Sequence, residues 1–165
     1  MKVLIVHASR YGSTAEVAEA IGDTLREGGH DVVVWAAREM PSPRSYDAVV
    51  AGSAIHAGRA LGELQRYFAK HKAELTVKRI ALFAVAGSLR GDTEQNRRLA
   101  EAALQPLSEG LTCLATGTFA GVVDLRKMPF LFRFLIRSAK VGSGDYRKWD
   151  EIRAWAACLS KRLAA

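Results

Sequence analysis

Val3-Leu4-Ile5-Val6 puts four apolar residues in a row, and a helix-forming pattern follows within a few positions. A strand with one wet face alternates apolar and polar residues. One that is apolar nearly throughout, as Lys2–Ala8 is, needs cover on both faces. The cover follows at once: Ala15, Val17, Ala18, Ile21 and Leu25 recur at helical spacing over Ala15–Glu27, and Gly28-Gly29 stops the helix. The same alternation continues down the chain. Strands are predicted at Asp31–Ala36, Tyr46–Ser53, Arg79–Ala86 and Thr112–Gly121, and helices at Leu61–His71, Thr93–Glu109 and Tyr146–Leu163. Met40–Arg44, Ala54–Gly58 and Gly87–Asp92 read as loops, with Asp92 or Thr93 capping the helix that follows. Strands alternating with helices predict an α/β fold, a parallel sheet covered by helices on both faces. Five strands in this rhythm fit the doubly wound order 2-1-3-4-5.

In that order ligands bind outside the carboxyl ends of the strands, where the order reverses between strands one and three. Three loops converge there, residues 9–14, 53–59 and 87–92, all rich in Gly, Ser, Ala and Arg and poor in bulk. The first, Ser9-Arg10-Tyr11-Gly12-Ser13-Thr14, joins a strand to a helix whose first turn has unpaired N–H groups and the positive end of the dipole. Its hydroxyls add donors and Gly12 permits close approach, which together make a cup for a phosphate. The plainer alternative is a helix N-capped by Ser13 or Thr14.

A chain of 165 residues with 49% hydrophobic and 25% charged residues reads as one globular domain able to bury a substantial core. Its first strand begins at Lys2 with no apolar leader before it, which predicts a cytoplasmic protein. No apolar run approaches the length of a bilayer span. Cys113 and Cys158 fall in a predicted strand and helix without CxxC spacing, so packing is the expected role. The net charge of +7 suits anionic substrates, nucleic acid or an anionic membrane surface. No base-reading motif is present, so nucleic acid is not expected as a partner.

One segment, Val122–Asp145, exceeds the minimal plan. On a helical wheel Arg126, Arg133, Arg137 and Lys140 share a narrow stripe, and Phe130, Leu131, Phe132, Phe134, Leu135 and Ile136 fill most of the rest. Such a piece is too short to cross a membrane; it can lie on an anionic one through residues 126–140, cap a pocket, or cover an apolar patch of its own domain.

Ser9 to Thr14, set between strand and helix, resembles the FMN-phosphate loop of flavodoxins. More closely, the chain resembles the flavodoxin-like, menaquinone-dependent protoporphyrinogen oxidases. The similar pieces are Ser9–Thr14, Gly52-Ser53-Ala54-Ile55-His56-Ala57-Gly58, Phe68-Ala69-Lys70-His71, the basic-aromatic insert before Gly142-Ser143-Gly144-Asp145, and Trp149-Asp150. The resemblance implies a flavodoxin-like fold and an FMN enzyme of heme biosynthesis that oxidises protoporphyrinogen IX with a quinone. It implies that Ser9, Arg10, Tyr11, Gly12, Ser13 and Thr14 hold the FMN phosphate. Ser53, Ala54, Ile55, His56, Ala57 and Gly58 are then expected on one side of the flavin ring, and Ala86, Gly87, Ser88, Leu89, Arg90 and Gly91 on the other. Where such proteins place an aromatic ring on the flavin, these loops offer Ile55, His56, Ala57 and Leu89 instead.

In a flavoenzyme the cofactor carries the hard chemistry, and no Ser-His-Asp or Cys-His constellation is needed. His7, His56 and His71 are too dispersed to suggest a metal site. His56 is the candidate catalytic residue, able to donate a hydrogen bond or relay a proton, against the plain reading of an exposed loop histidine. Arg59 and Arg90 are candidates for substrate carboxylates, since a guanidinium matches a carboxylate with two parallel bonds, against the plain reading of solvated surface arginines. A competing function is a flavodoxin-type electron carrier acting with protein partners, but such carriers are typically acidic and stack aromatics on the flavin. A phosphoacceptor receiver domain is excluded because Gly52-Ser53 occupies the place of its aspartate.

Overall fold

A computed structural model describes residues 1–123 and 143–165. The elements are β1 (Lys2–Ala8), α1 (Ser13–Glu27), β2 (Asp31–Ala36), β3 (Ala48–His56), β4 (Arg59–Ala60), α2 (Gly62–Leu75), β5 (Arg79–Ala86), α3 (Glu94–Ser108), β6 (Cys113–Ala120), β7 (Val122–Val123), β8 (Gly144–Asp145) and α4 (Trp149–Ala164). Short 3-10 turns follow β2 (Ala37–Glu39) and β5 (Gly87–Gly91).

The main sheet runs β2-β1-β3-β5-β6 with every neighbour parallel, the doubly wound flavodoxin-like order expected from the strand–helix rhythm. Burial on both faces explains the unbroken apolar runs. Leu4 and Val6 of β1 point to one side, where Leu64 and Leu75 of α2 and Leu104 of α3 cover them. Val3 and Ile5 point to the other, against Ile21 of α1 and Ile152 of α4. The period of two along the strand therefore divides one sequence run between two cores.

Several boundaries move. Residues 54–56 are not loop: they extend β3 past the sheet, because Ile55 and His56 find antiparallel partners in Ala60 and Arg59 of β4. The loop shrinks to Ala57 and Gly58, both at positive φ (49° and 72°), the backbone of a two-residue type I′ hairpin turn. Helix α2 continues beyond His71 to Leu75, with non-helical angles at His71 (φ −105°, ψ 16°). Thr93 caps α3 by accepting from the Asn96 N–H at 3.2 Å. Helix α4 starts at Trp149 rather than Tyr146, since the Tyr146 N–H is bonded to the Gly121 carbonyl (3.3 Å) and Arg147 is held by Asp145. Strands β7 and β8 pair antiparallel, Val122 with Asp145 and Val123 with Gly144, at the carboxyl end of the sheet. The stripe proposed over residues 126–140 lies outside the described residues.

Candidate functional site

Parallel register brings the carboxyl ends of β1, β3 and β5 side by side: Ala8 lies opposite Ser53, and Ala54 opposite Val85. The first loop then turns into α1 through Gly12, whose φ of 98° only glycine adopts without strain. Gly12 is the N-cap residue and no side chain caps the helix, so Ser13 and Thr14 sit inside the first turn and the reading of either as the cap is corrected. The Gly12 N–H donates to Ser9 Oγ (3.1 Å), and the first helical bond runs from the Glu16 N–H to the Gly12 carbonyl (3.1 Å). The N–H groups of residues 13–15 precede that bond and have no acceptor within the helix.

Thr14 is fully buried, yet its hydroxyl has no hydrogen-bond partner among the described residues. A buried polar group left unpaired costs about 1–3 kcal/mol. An anion at the head of α1 would supply the missing acceptor. Arg10 is exposed beside it, its guanidinium 5.8 Å from the Tyr11 ring centre, and Tyr11 is itself 36% exposed.

A cleft with a cavity of about 110 Å³ opens at these strand ends. Arg10, Tyr11 and Ser13 line one side, Ala54, Ile55 and His56 a second, Val85, Ala86 and Gly87 a third. Gly121, Val122 and Val123 close the fourth. This last wall was not foreseen. It follows from the same rule that placed the other loops, since Gly121 directly follows the fifth strand of the sheet, and its N–H bonds to the Ala86 carbonyl (3.2 Å). A second cavity of about 480 Å³ adjoins the cleft and shares Ile55 and Gly87 with it.

Other expected site residues are placed differently. Ser53 is buried and its hydroxyl is committed, accepting from the Leu61 N–H and donating to the Ala54 carbonyl, each at 2.8 Å. It staples the hairpin rather than facing a ligand. Leu89, expected against the flavin ring, turns inward at 5% exposure and joins the α2–α3 core, because residues 87–91 coil into a 3-10 turn instead of an open loop. Ala57 and Gly58 form the exposed hairpin tip, and Ser88, Arg90 and Gly91 are exposed on the turn. Arg59 stands opposite His56 across the hairpin, and opposed residues share a face.

The exposed cations Arg10, Arg59 and Arg90 make no ion pair among the described residues. Arg90 reaches only the Gly87 carbonyl, at 3.5 Å. His7, on β1 just before the first loop, has its pKa lowered by burial and then by Arg38, so it is neutral at neutral pH and adds no charge. Among the described residues no group of three His, Cys, Asp or Glu side chains is placed to hold a metal ion. No described helix is long and apolar enough to cross a membrane.

Comparison with known proteins agrees with this fold. The Escherichia coli (strain K12) protein named protoporphyrinogen IX dehydrogenase [quinone] is 33% identical over 87 residues, a match that spans 52% of this chain and 48% of that relative. Flavodoxin 2 from Bacillus cereus superposes with a TM-score of 0.67 at 17% identity, covering 98% of this chain and 99% of the other. An archaeal flavodoxin gives 0.64 at 16% identity over the full length of both chains. At such identities the structures speak for the fold alone. The family model described as "Flavodoxin domain" matches residues 4–149, and on that match the chain belongs to the flavodoxin domain family.

Proposed function

We propose that the protein is an FMN-dependent oxidoreductase that takes hydrogen from protoporphyrinogen IX and delivers it to a quinone. FMN is the cofactor of the flavodoxin domain, and the residues present fit it. The observation that carries the reading is the buried, unpaired Thr14 hydroxyl in the first turn of α1, where a phosphate oxygen would accept from it and from the first-turn N–H groups. Ser9, Arg10, Tyr11, Gly12, Ser13 and Thr14 then hold the phosphate. The hairpin of Ala54–Gly58 and the turn of Ala86–Gly91, without the inward-turned Leu89, flank the ring. When bound, FMN supplies the two-electron redox chemistry.

The chain's own residues bind, exclude water and handle protons. Ile55, Val85, Val122 and Val123 give the cleft apolar walls. Arg59, opposite His56 across the hairpin, and Arg90, on the turn after β5, are exposed with no ion-pair partner among the described residues, which suits the carboxylates of a porphyrinogen. His56 shares a hairpin face with Arg59 and lines the cleft, a position from which it holds or passes a proton. For each pair of hydrogens leaving the porphyrinogen, one quinone becomes its hydroquinone. The name of the E. coli relative and the net charge of +7 support this substrate pair over a carrier that docks on proteins. A quinone resident in a membrane also gives the basic and apolar residues 126–140 a use, as a peripheral contact with an anionic surface.

The test is direct. Purified protein is reconstituted with FMN and given protoporphyrinogen IX and a soluble quinone, and protoporphyrin fluorescence is followed above the spontaneous rate. Arg59→Ala and Arg90→Ala should raise KM with little change in kcat, the mark of uniform binding. Flavin that cycles only between redox proteins and leaves porphyrinogen untouched establishes the carrier instead.

A further inference from the structure

Strand β2 is one border of the sheet, and among the described residues it is short of cover. Between β2 and β3 the chain has only the 3-10 turn Ala37–Glu39 and no α-helix. On β1, Leu4 and Val6 are fully buried, yet their β2 neighbours on the same face differ: Val33 is half-buried and Trp35 is 42% exposed. A tryptophan ring in water on a sheet border is the kind of side chain that carries binding energy where protein surfaces meet. The backbone is open as well. The Asp31 N–H donates to the Met1 carbonyl (2.9 Å), so residues 31, 33 and 35 bond to β1 and residues 32, 34 and 36 turn their backbone groups outward. Arg26 Nε occupies the outward Val32 carbonyl (3.3 Å), but no strand lies beyond Val34 among the described residues. Proteins usually guard such a border with Lys, Pro, a bulge or a covering helix. Residues 31–36 contain no Lys or Pro, and the β1–β2 register has no shift. The charges stand at the ends. Asp31 begins the strand and Arg38 lies two residues past it, both exposed and both without an ion pair among the described residues.

We propose that β2 pairs antiparallel with β2 of a second copy of this chain, about a two-fold axis at Val34. Outward groups meet outward groups only when even-numbered residues stand opposite even-numbered ones, and opposed residues share a face. Val34 opposite Val34 satisfies both conditions. The two valines exchange both backbone bonds, and Trp35 of each copy lies opposite Val33 of the other. Antiparallel pairing also brings the Asp31 end of each strand to the Arg38 turn of the other, so an anion meets a cation at both ends of the seam. A border that complements itself in register, face and charge is what a two-fold interface requires. The axis is perpendicular to the sheet, so the two cofactor clefts point in opposite directions and stay open. Asp31, Val34, Trp35 and Arg38 line neither. The paired stretch is short and the net charge of +7 opposes association, so the dimer is weak and reversible.

The experiment follows the FMN-loaded protein by sedimentation velocity across a wide range of concentration, beside Asp31→Arg, Arg38→Asp and Trp35→Lys. Wild type should pass from monomer to dimer as concentration rises. Trp35→Lys places a charge on the border and removes the ring, and should weaken the dimer by about tenfold or more. Asp31→Arg sets two cations together at each end and Arg38→Asp two anions, so each alone should weaken it about tenfold. An equimolar mixture of these two variants again opposes a cation to an anion at both ends. It should form the mixed dimer within about twofold of wild-type affinity, a rescue that misfolding cannot produce. All three variants should bind FMN as wild type does, which checks that each is folded. Amide exchange by NMR gives the location: the Val34 N–H should gain protection as concentration rises, while Val33 and Trp35, already bonded to β1, should not change. A monomer at every concentration overturns the proposal. So does a dimer indifferent to all three variants, or a mixture no tighter than either variant alone. Val34 protected even at the highest dilution means that the chain's own residues cover the border, and overturns a second copy as its occupant.

Discussion

Thr14 is buried where its hydroxyl has no acceptor, so exchanging that hydroxyl for a methyl removes a desolvation cost from the flavin-free chain. Thr14→Val is expected to leave the flavin-free protein as stable as wild type, or more so by up to about 1 kcal/mol, in urea unfolding. The same change should weaken FMN by about 1.5–3 kcal/mol, since a hydrogen bond to a charged oxygen is lost. Riboflavin, which lacks the phosphate, should bind both proteins alike in a fluorescence titration. Equal FMN affinity in the two proteins would place the phosphate elsewhere. Ala57 makes the opposite case, a residue whose cost is in the backbone. Its φ of 49° disfavours any side chain with a Cβ except those of Asn and Asp, which bond locally. Ala57→Asn should raise stability by about 0.5–1 kcal/mol, and Gly58→Ala should lower it by about 1 kcal/mol, both read as shifts in the urea midpoint. The phosphate loop was legible at this scale because strand, hydroxyl-rich turn and helix follow one another in the sequence. The roles of Ser53 and Leu89 were not. Which way a side chain turns depends on whether its backbone is open loop, strand or 3-10 coil, and composition alone does not separate these.

Among the described residues, the side chain of Arg147 ties the end of the β7–β8 ribbon to α1. The Arg147 side chain is 8% exposed; its Nε and Nη2 donate to Asp145 (2.9 and 2.6 Å), its Nη1 to Glu16 (2.5 Å), and its guanidinium lies 4.5 Å from the Trp149 ring centre. Asp145 is held below the usual carboxylate range, first by the Arg147 hydrogen bond, while burial acts against it. A depressed carboxyl stabilises the fold above its unfolded pKa, near 3.9, and that contribution is lost as pH falls through the folded value. Arg147→Ala should therefore cost about 1–2 kcal/mol at neutral pH, a figure reduced because both carboxylates are half-exposed. The difference from wild type should shrink below about pH 4 in a series of urea curves, and a gap that persists there would assign the loss to packing on Trp149. This clasp was invisible in the sequence, as were β4 and the hairpin. Asn-Gly is the signal for such a turn, and the chain has Ala57-Gly58. The helices and parallel strands were read within a few residues because each buries a periodic face.

For the whole molecule, the sheet order followed from rhythm alone, whereas the contents of the excursion between β7 and β8 did not. Its ends are another matter. Val123 pairs with Gly144, so the described residues on either side of 124–142 lie next to each other. The residues proposed to hold the phosphate, Ser9 to Thr14, lie at the head of α1, far along the sequence from residues 124–142. Closing the same two ends with a shorter loop should then cost nothing in topology. A Gly/Ser linker that replaces 127–140 and halves the loop favours the folded state by about 0.6 kcal/mol in closure entropy. The shortened protein is expected to fold with an unchanged far-ultraviolet circular dichroism spectrum, and to bind FMN with wild-type affinity by fluorescence titration. If it is insoluble, or folds but loses the flavin, then part of the excursion packs on the core or the cleft, and the basic and apolar stripe of residues 126–140 is structural rather than a surface for membranes.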